Sequence, residues 1–215
     1  MKLLVSLAVS FVLAWAAPAQ AQHDHPEGGD LVGTAGVSFQ TSCAPALRQD
    51  FNRGVALLHS FWFAQAIAAF NGVLAKDPSC AMAYWGIALS SWGNPFAGLR
   101  SPQQISQGQA AIQKAQSTGS PTPRERAYIT AAAALYTDGD AGTQRARTVA
   151  YEQGMERLNK QFPADMEARI FYALAVNQTA LTTDKKYTQQ VKAAGVLEPH
   201  FKEHPKHPGL GHYII

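Results

Sequence analysis

The 215-residue chain carries 18 Lys and Arg, 15 Asp and Glu and 7 His, which gives a formal net charge of +3 at pH 7. Its hydrophobic fraction of 47% is enough for one packed domain or one repeat array. No basic stripe interleaved with aromatic residues occurs, which argues against a nucleic acid partner. Beyond the first 21 residues, no apolar run reaches the ~20 residues that a membrane-spanning helix needs.

The first 21 residues have the three parts of an export signal. Lys2 precedes an apolar run over residues 3–15, and AQA at 19–21 supplies small residues before a cleavage point. This pattern predicts a signal peptide over residues 1–21, cut after Ala21. We therefore expect an exported protein, periplasmic or secreted, without a membrane span after cleavage. An uncleaved anchor is the minor alternative, because the run is short for a span.

Cys43 and Cys80 are the two cysteines, and they stand 37 residues apart. In an exported protein an even number of cysteines favours a disulfide, and two buried free thiols are the alternative. Chain-entropy reasoning gives a crosslink of this length a stabilisation of at most roughly 4 kcal/mol.

Two regions differ in composition. Residues 22–44 are mostly rich in Gly and polar residues without helical periodicity, which predicts a flexible N-terminal segment. From Pro45 onward, apolar residues recur at intervals of three and four, as in helices that bury one face. Short breaks separate the helix-sized blocks: 76–79, 93–102, 118–123, 137–142, 162–165 and 181–184. At one break, Thr122, Pro123 and Glu125 predict a capping box that starts a helix.

Prolines between successive helix pairs recur at positions 78, 121, 163 and 205, with spacings of 43, 42 and 42. A fixed period in this range indicates stacked units, because one helical hairpin cannot cover its own apolar face. We therefore predict an all-α fold, an α-solenoid of about four helical hairpins over residues 45–206. Residues 207–215 are predicted to start a truncated fifth hairpin.

In the first unit, counted from Leu47 as position one, Gly54, Ala66, Phe70 and Pro78 stand at positions 8, 20, 24 and 32. Tetratricopeptide repeats place a small residue, Ala, an aromatic and Pro at these positions, so the unit resembles such a repeat. The chain also resembles one group of exported bacterial tetratricopeptide-repeat proteins. The stretches that carry this likeness are SC (42–43), GVALLHSFWFAQA (54–66), DPSCAMAYWGIALS (77–90) and HPGLGHYII (207–215). Because that group continues beyond the last stretch, the resemblance implies an N-terminal fragment, and it supplies no catalytic residues.

The sequence contains no HExxH, CxxCH, GxSxG or GxxxxGK motif, so we expect a non-enzymatic protein without a cofactor. Stacked hairpins typically bind peptides or protein segments on the surface formed by their first helices. The leading hypothesis is therefore an exported module that binds a protein or peptide partner. Candidate groove residues, chosen by position, are Tyr84, Tyr128, Tyr136 and Asn177. His59 is interpreted as a core or groove histidine. Glycan binding through surface aromatics is a further alternative.

The second hypothesis is a metal-binding protein or a metal-dependent enzyme. His200 and His204 are one helical turn apart, a spacing that can present two imidazoles to one ion. His207 and His212 follow in the same segment. No Asp, Glu or Cys is clearly placed to complete the set, and His207 followed by Pro208 also fits the start of a helix.

Overall fold

The computed structural model of the protein describes residues 32–214. The predicted signal peptide and residues 22–31 lie outside this range. Within it, all regular structure is helical, which confirms the all-α prediction. The helices are α1 (Arg48–His59), α2 (Phe63–Lys76), α3 (Ala81–Trp92), α4 (Pro102–Thr118), α5 (Pro123–Ala133), α6 (Gln144–Gln161), α7 (Met166–Gln178), α8 (Thr188–Phe201) and α9 (Pro208–Tyr213). Among residues 32–214, none of the helices combines the length and the apolar character of a membrane span.

Consecutive helices pack against each other along the whole described chain. The first helices of neighbouring pairs also meet, since α1 contacts α3, α3 contacts α5 and α7 contacts α9. In addition, α1 contacts α9. An open array would keep these two helices apart. The contact therefore brings the two ends of the described helical region together, and side chains fill the space between the first helices.

Phe39 lies at the centre of this core. Its ring centroid is 5.5 Å from that of Phe51 on α1, 5.2 Å from that of Trp85 on α3 and 5.0 Å from that of Tyr128 on α5. The side chain is 1% exposed. The described part of the segment predicted to be flexible is thus packed structure. Helical periodicity does not predict this packing, because the segment has no α-helix of its own and Phe39 anchors it in the core.

The predicted disulfide between Cys43 and Cys80 is present, with a Cα–Cα distance of 4.8 Å. It joins the chain just before α1 to the residue that precedes α3. Next to it, the Ala44 N–H donates to the Asp77 carboxylate at 2.9 Å. The crosslink therefore fixes the entry of α1 beside the entry of α3.

Phe70 on α2 fills the space that glycines leave on two other helices. A Cβ added at Gly54 on α1 would lie 2.7 Å from the Phe70 ring, and one at Gly86 on α3 would lie 2.4 Å from it. Real Cβ atoms do not approach that closely, so both positions need a residue without a side chain. Gly54 and Phe70 are two of the residues on which the tetratricopeptide resemblance rests.

The start of α5 differs in one detail from the predicted capping box. The Thr122 hydroxyl accepts from the Glu125 N–H at 3.1 Å, as predicted. The Glu125 carboxylate, however, accepts from Ser42 N–H at 2.6 Å and from the Ser120 hydroxyl at 2.6 Å. Burial opposes ionisation of Glu125, but these hydrogen bonds outweigh it and hold its pKa below the ordinary value. Glu125 thus ties α5 to the segment before α1.

We predict that Phe39→Ala lowers the free energy of unfolding by about 3–5 kcal/mol, because it leaves a cavity among three helices. Urea denaturation followed by circular dichroism measures the change. Phe96→Ala is the control, since Phe96 is 57% exposed and its loss should change stability by less than about 0.5 kcal/mol. Equal stabilities of the two variants would contradict a structural role for this segment.

Candidate functional site: a buried carboxylate between two imidazoles

The Glu167 carboxylate is buried between two histidines. Its Oε2 atom is 2.9 Å from His59 Nε2, and its Oε1 atom is 2.9 Å from His207 Nε2. The Tyr213 hydroxyl is 2.9 Å from His59 Nδ1 and extends the chain of hydrogen bonds. His59 is 0% exposed, and Glu167 and His207 are each 3% exposed. We call these four residues the Glu167 network.

Three helices that are distant in sequence supply the network. His59 is the last residue of α1, Glu167 lies in the first turn of α7, and Tyr213 ends α9. His207 is the N-cap residue of α9. The α7 N-terminus also favours a carboxylate, because the helix dipole is positive there. The network thus links α1, α7 and α9.

Gly209 allows α9 to approach the network closely. A Cβ at this position would lie 2.8 Å from His59 Nδ1 and 2.7 Å from Ile170 Cγ2. The neighbouring Pro208 fits the first position of α9, where no backbone N–H is needed. The sequence HPG at 207–209 therefore combines a cap, a helix start and a close contact.

Hydrogen-bond roles assign the tautomers of both histidines. The Gly209 N–H donates to His207 Nδ1 at 3.1 Å. Because Nδ1 must then carry a lone pair, the proton of the neutral ring sits on Nε2 and is donated to Glu167. In His59, Nε2–H likewise donates to Glu167, and Nδ1 accepts from the Tyr213 hydroxyl. An ionised Glu167 between two neutral imidazoles satisfies every polar contact of the network.

Burial and hydrogen bonding set the charges of the network. Burial alone would raise the pKa of Glu167, but hydrogen bonds from His207 and His59 outweigh it and hold that pKa at about 2. Burial lowers the pKa of His59 despite the opposing effect of Glu167. Burial also raises the pKa of Tyr213 well above its ordinary value. At neutral pH the carboxylate is therefore ionised and the phenol is protonated.

One atom each of His59, Glu167 and His207 lie within 4.8 Å of one another, which is the donor set of a His₂Glu zinc site. A zinc ion does not fit here, because of the hydrogen bond on the far side of the His207 ring. A neutral histidine that binds a metal through Nε2 carries its proton on Nδ1 and donates it to an acceptor. At His207, that Nδ1–H would face the Gly209 N–H at 3.1 Å. The present arrangement therefore suits a hydrogen-bonded carboxylate better than a metal ion.

The four histidines predicted from sequence do not come together as one metal site. Within the described part of the chain, the cluster of possible metal ligands consists of His59, Glu167 and His207. It contains only His207 of the four. His200 is half-buried on α8, and His204 and His212 are exposed. His212 Nδ1 instead lies 3.1 Å from the His59 carbonyl oxygen. His200 lies on α8 and His204 in the exposed connection that follows it, whereas His207 is buried at the start of α9.

The predicted groove residues occupy different places. Tyr128 and Tyr136 are buried core residues, and their hydroxyls donate to Asp165 at 2.9 Å and to the Ala88 carbonyl at 2.6 Å. Tyr84 is half-buried on α3 and lines a surface hollow between α2, α3 and α4 that includes no residue of the Glu167 network. Asn177 donates to the Tyr213 carbonyl at 3.0 Å. The four therefore do not share one surface.

An open hollow of about 470 Å³ lies beside the network, and we call it the lateral groove. Phe96 and Leu181 stand on it with 57% and 51% exposure. Its lining comprises Pro95, Phe96, Ala97, Asn177, Gln178, Ala180, Leu181, Thr182, Gln190, Tyr213 and Ile214. Pro95, Gln178 and Tyr213 also line an adjoining apolar cavity of about 30 Å³. Tyr213 is thus shared by the groove, the cavity and the Glu167 network.

Sequence reasoning missed Glu167 and the lateral groove. Glu167 follows an ordinary helix N-cap, Asp165, and no local motif distinguishes it from other acidic residues in first turns. Its partners His59 and His207 lie 108 and 40 residues away. The prediction of a cap at His207 followed by a helix at Pro208 agrees with the structure.

Comparison with protein-family models, with curated proteins and with solved structures found no match. The functional argument therefore depends on the geometry of this chain.

We predict that Glu167→Gln lowers the free energy of unfolding by about 3–5 kcal/mol, because the variant leaves an N–H of one imidazole facing an amide donor. Urea denaturation at pH 7.5 measures the loss. Glu198→Gln, an exposed change on α8, is the control and should be close to neutral. A Glu167→Gln protein as stable as the control variant would show that the network contributes little to folding.

Zinc titration tests the metal hypothesis separately. We expect weak zinc uptake that does not raise the melting temperature and that declines in His200→Ala/His204→Ala, because two exposed or half-buried histidines make an incomplete site. Isothermal calorimetry and thermal unfolding with and without zinc measure both properties. A one-to-one submicromolar site that raises the melting temperature and disappears in Glu167→Gln would instead establish a metal centre.

Proposed function

We propose that the protein is a non-catalytic interaction module that binds an extended peptide or protein segment in the lateral groove. The observation that carries the proposal is the pair of large apolar side chains, Phe96 and Leu181, left half-exposed on an open groove. Large apolar side chains grouped around a concave surface are typical of binding sites.

The chemistry of the lining indicates the kind of segment. Its described residues include no charged side chain. Asn177, Gln178 and Gln190 add amide groups that can pair with the backbone of an extended chain, while Phe96 and Leu181 can cover its apolar side chains. A neutral, apolar segment therefore fits this groove better than an acidic or basic one.

The proposed surface differs from the one expected for a tetratricopeptide array. The first helices enclose Phe39 and Tyr128 in the core, and α1 contacts α9. The lateral groove lies instead beside the α3–α4 connection, the end of α7 and α9. We propose that the chain is related to tetratricopeptide proteins, and the packing of Gly54 and Gly86 on Phe70 supports this.

We also propose that the module works in an exported compartment. The Cys43–Cys80 disulfide supports this, since disulfides persist mainly in oxidising environments. The export signal predicted over residues 1–21 agrees with it.

The test starts from a defined probe, a displayed library of random dodecapeptides selected on the immobilised protein. Affinities of the selected peptides are then measured by fluorescence polarisation at pH 7.5. We predict that Phe96→Asp/Leu181→Asp weakens binding by about 30-fold or more, because burial of two large apolar side chains is lost. Val191→Asp is the matched control, since Val191 is 66% exposed on α8 but is not a lining residue.

Two results would contradict the proposal. One is a library that yields no peptide enriched on the wild-type protein over the Phe96→Asp/Leu181→Asp variant. The other is a set of selected peptides that bind this variant and the Val191→Asp control with equal affinity, which would place the binding surface elsewhere.

A further inference from the structure

Helix α9 depends on the Glu167 network for its position. It spans only Pro208–Tyr213, and its buried residues are Gly209, Leu210 and Tyr213. Residues 202–206, which connect it to α8, are all exposed. Its docking therefore relies on these buried contacts and on hydrogen bonds that include His207 to Glu167 and Tyr213 to His59.

We propose that the Glu167 network is an acid-sensitive clasp, which holds α9 against α1 and α7 at neutral pH and releases it on mild acidification. Release would move Tyr213, which lines the lateral groove. The effect on peptide binding rests on the function proposed above, whereas the release of α9 does not.

Protonation of His59 changes one hydrogen bond of the network. In the closed state, His59 Nδ1 accepts from the Tyr213 hydroxyl. A proton from solvent that binds Nδ1 turns this acceptor into a donor and breaks the O–H···N bond, and no atom leaves. The described hydrogen bonds give the Tyr213 hydroxyl no second acceptor. The protonated ring would gain attraction to Glu167, but its charge would also be fully buried.

Other titratable groups face the network from the helices packed around His59. Burial raises the pKa values of Tyr128, Tyr151 and Tyr213, so these phenols stay neutral in acid. The remaining titratable or charged groups near the network are Glu167 on α7, His207 and His212 on α9, and the ion pair of Arg124 with Asp165. His207 Nδ1 accepts the Gly209 N–H, and His212 is exposed.

The direction of the pH effect follows from linkage. Burial holds the pKa of His59 below its ordinary value of 6.5. Below pH 6.5 the closed clasp therefore binds fewer protons than an open one in which His59 reaches water, and its stability falls as the pH falls. Between pH 7.5 and pH 5.0 the opening equilibrium can rise by up to about 30-fold. Glu167, with a pKa of about 2, adds to this only below about pH 4.5.

Hydrogen exchange of the whole protein, measured by mass spectrometry without any peptide, tests the clasp. Rates are corrected for the intrinsic effect of pH. We expect protection of peptides within residues 202–214 to fall by about 10- to 30-fold between pH 7.5 and pH 5.0, while protection of α3 changes less than about threefold. His59→Gln should abolish this pH response, because its amide does not titrate. His204→Gln, which removes an exposed histidine, should retain it.

The proposal is overturned if α9 is equally protected at both pH values, or if His59→Gln responds as the wild type does. Should that variant lack the native circular dichroism spectrum, NMR titration of the wild-type imidazoles replaces it. The α9 amide signals must then change with the midpoint of His59, and a different midpoint rejects the clasp. If the clasp fails this test, binding of selected peptides at pH 7.5 is unaffected, so failure of the groove is recognised separately.

Discussion

The pairing of one buried carboxylate with two imidazoles holds together parts of the chain that no local interaction could join. An unpaired Glu167 at this depth would cost several kcal/mol, so its burial requires both histidines and the closure that brings them there. The hydrogen bonds to His59 and His207 span 108 and 40 residues. They join α1 and α9 to α7, in agreement with the contact between α1 and α9.

Several features that look unrelated in sequence are consequences of this pairing. Gly209 lacks a side chain where α9 meets His59, and the Gly209 N–H fixes the tautomer of His207. Tyr213 binds the remaining nitrogen of His59 and also lines the lateral groove. The same residues thus complete the core and form part of a surface, so a change in the core can reach that surface without a long pathway.

The extent to which the sequence predicted the structure follows from the range of the forces involved. Helices and their breaks are encoded locally, by apolar spacing, prolines and caps such as Thr122, and they were predicted well. Phe39, Glu167 and the buried positions of Tyr128 and Tyr136 depend on which helices meet, and helical periodicity does not contain that information. Position within a first helix predicted exposure for the tyrosines, but Tyr128 packs on Phe39 and Trp85, and Tyr136 packs on Trp92 and Gly108.

The hydrogen-bond donors around the network, more than the types of its residues, decide whether it is a metal site or a hydrogen-bonded carboxylate. Two histidines and a glutamate are the residues of many zinc sites, so composition and proximity alone favour a metal. A backbone N–H can only donate, however, and the one at Gly209 points at His207 Nδ1. That single contact assigns the His207 proton to Nε2, between the ring and Glu167, where a metal ion would have to sit. The network is then a set of hydrogen bonds that joins three helices. The number of protons it holds depends on pH, and the proposed clasp is the way in which pH acts on the fold.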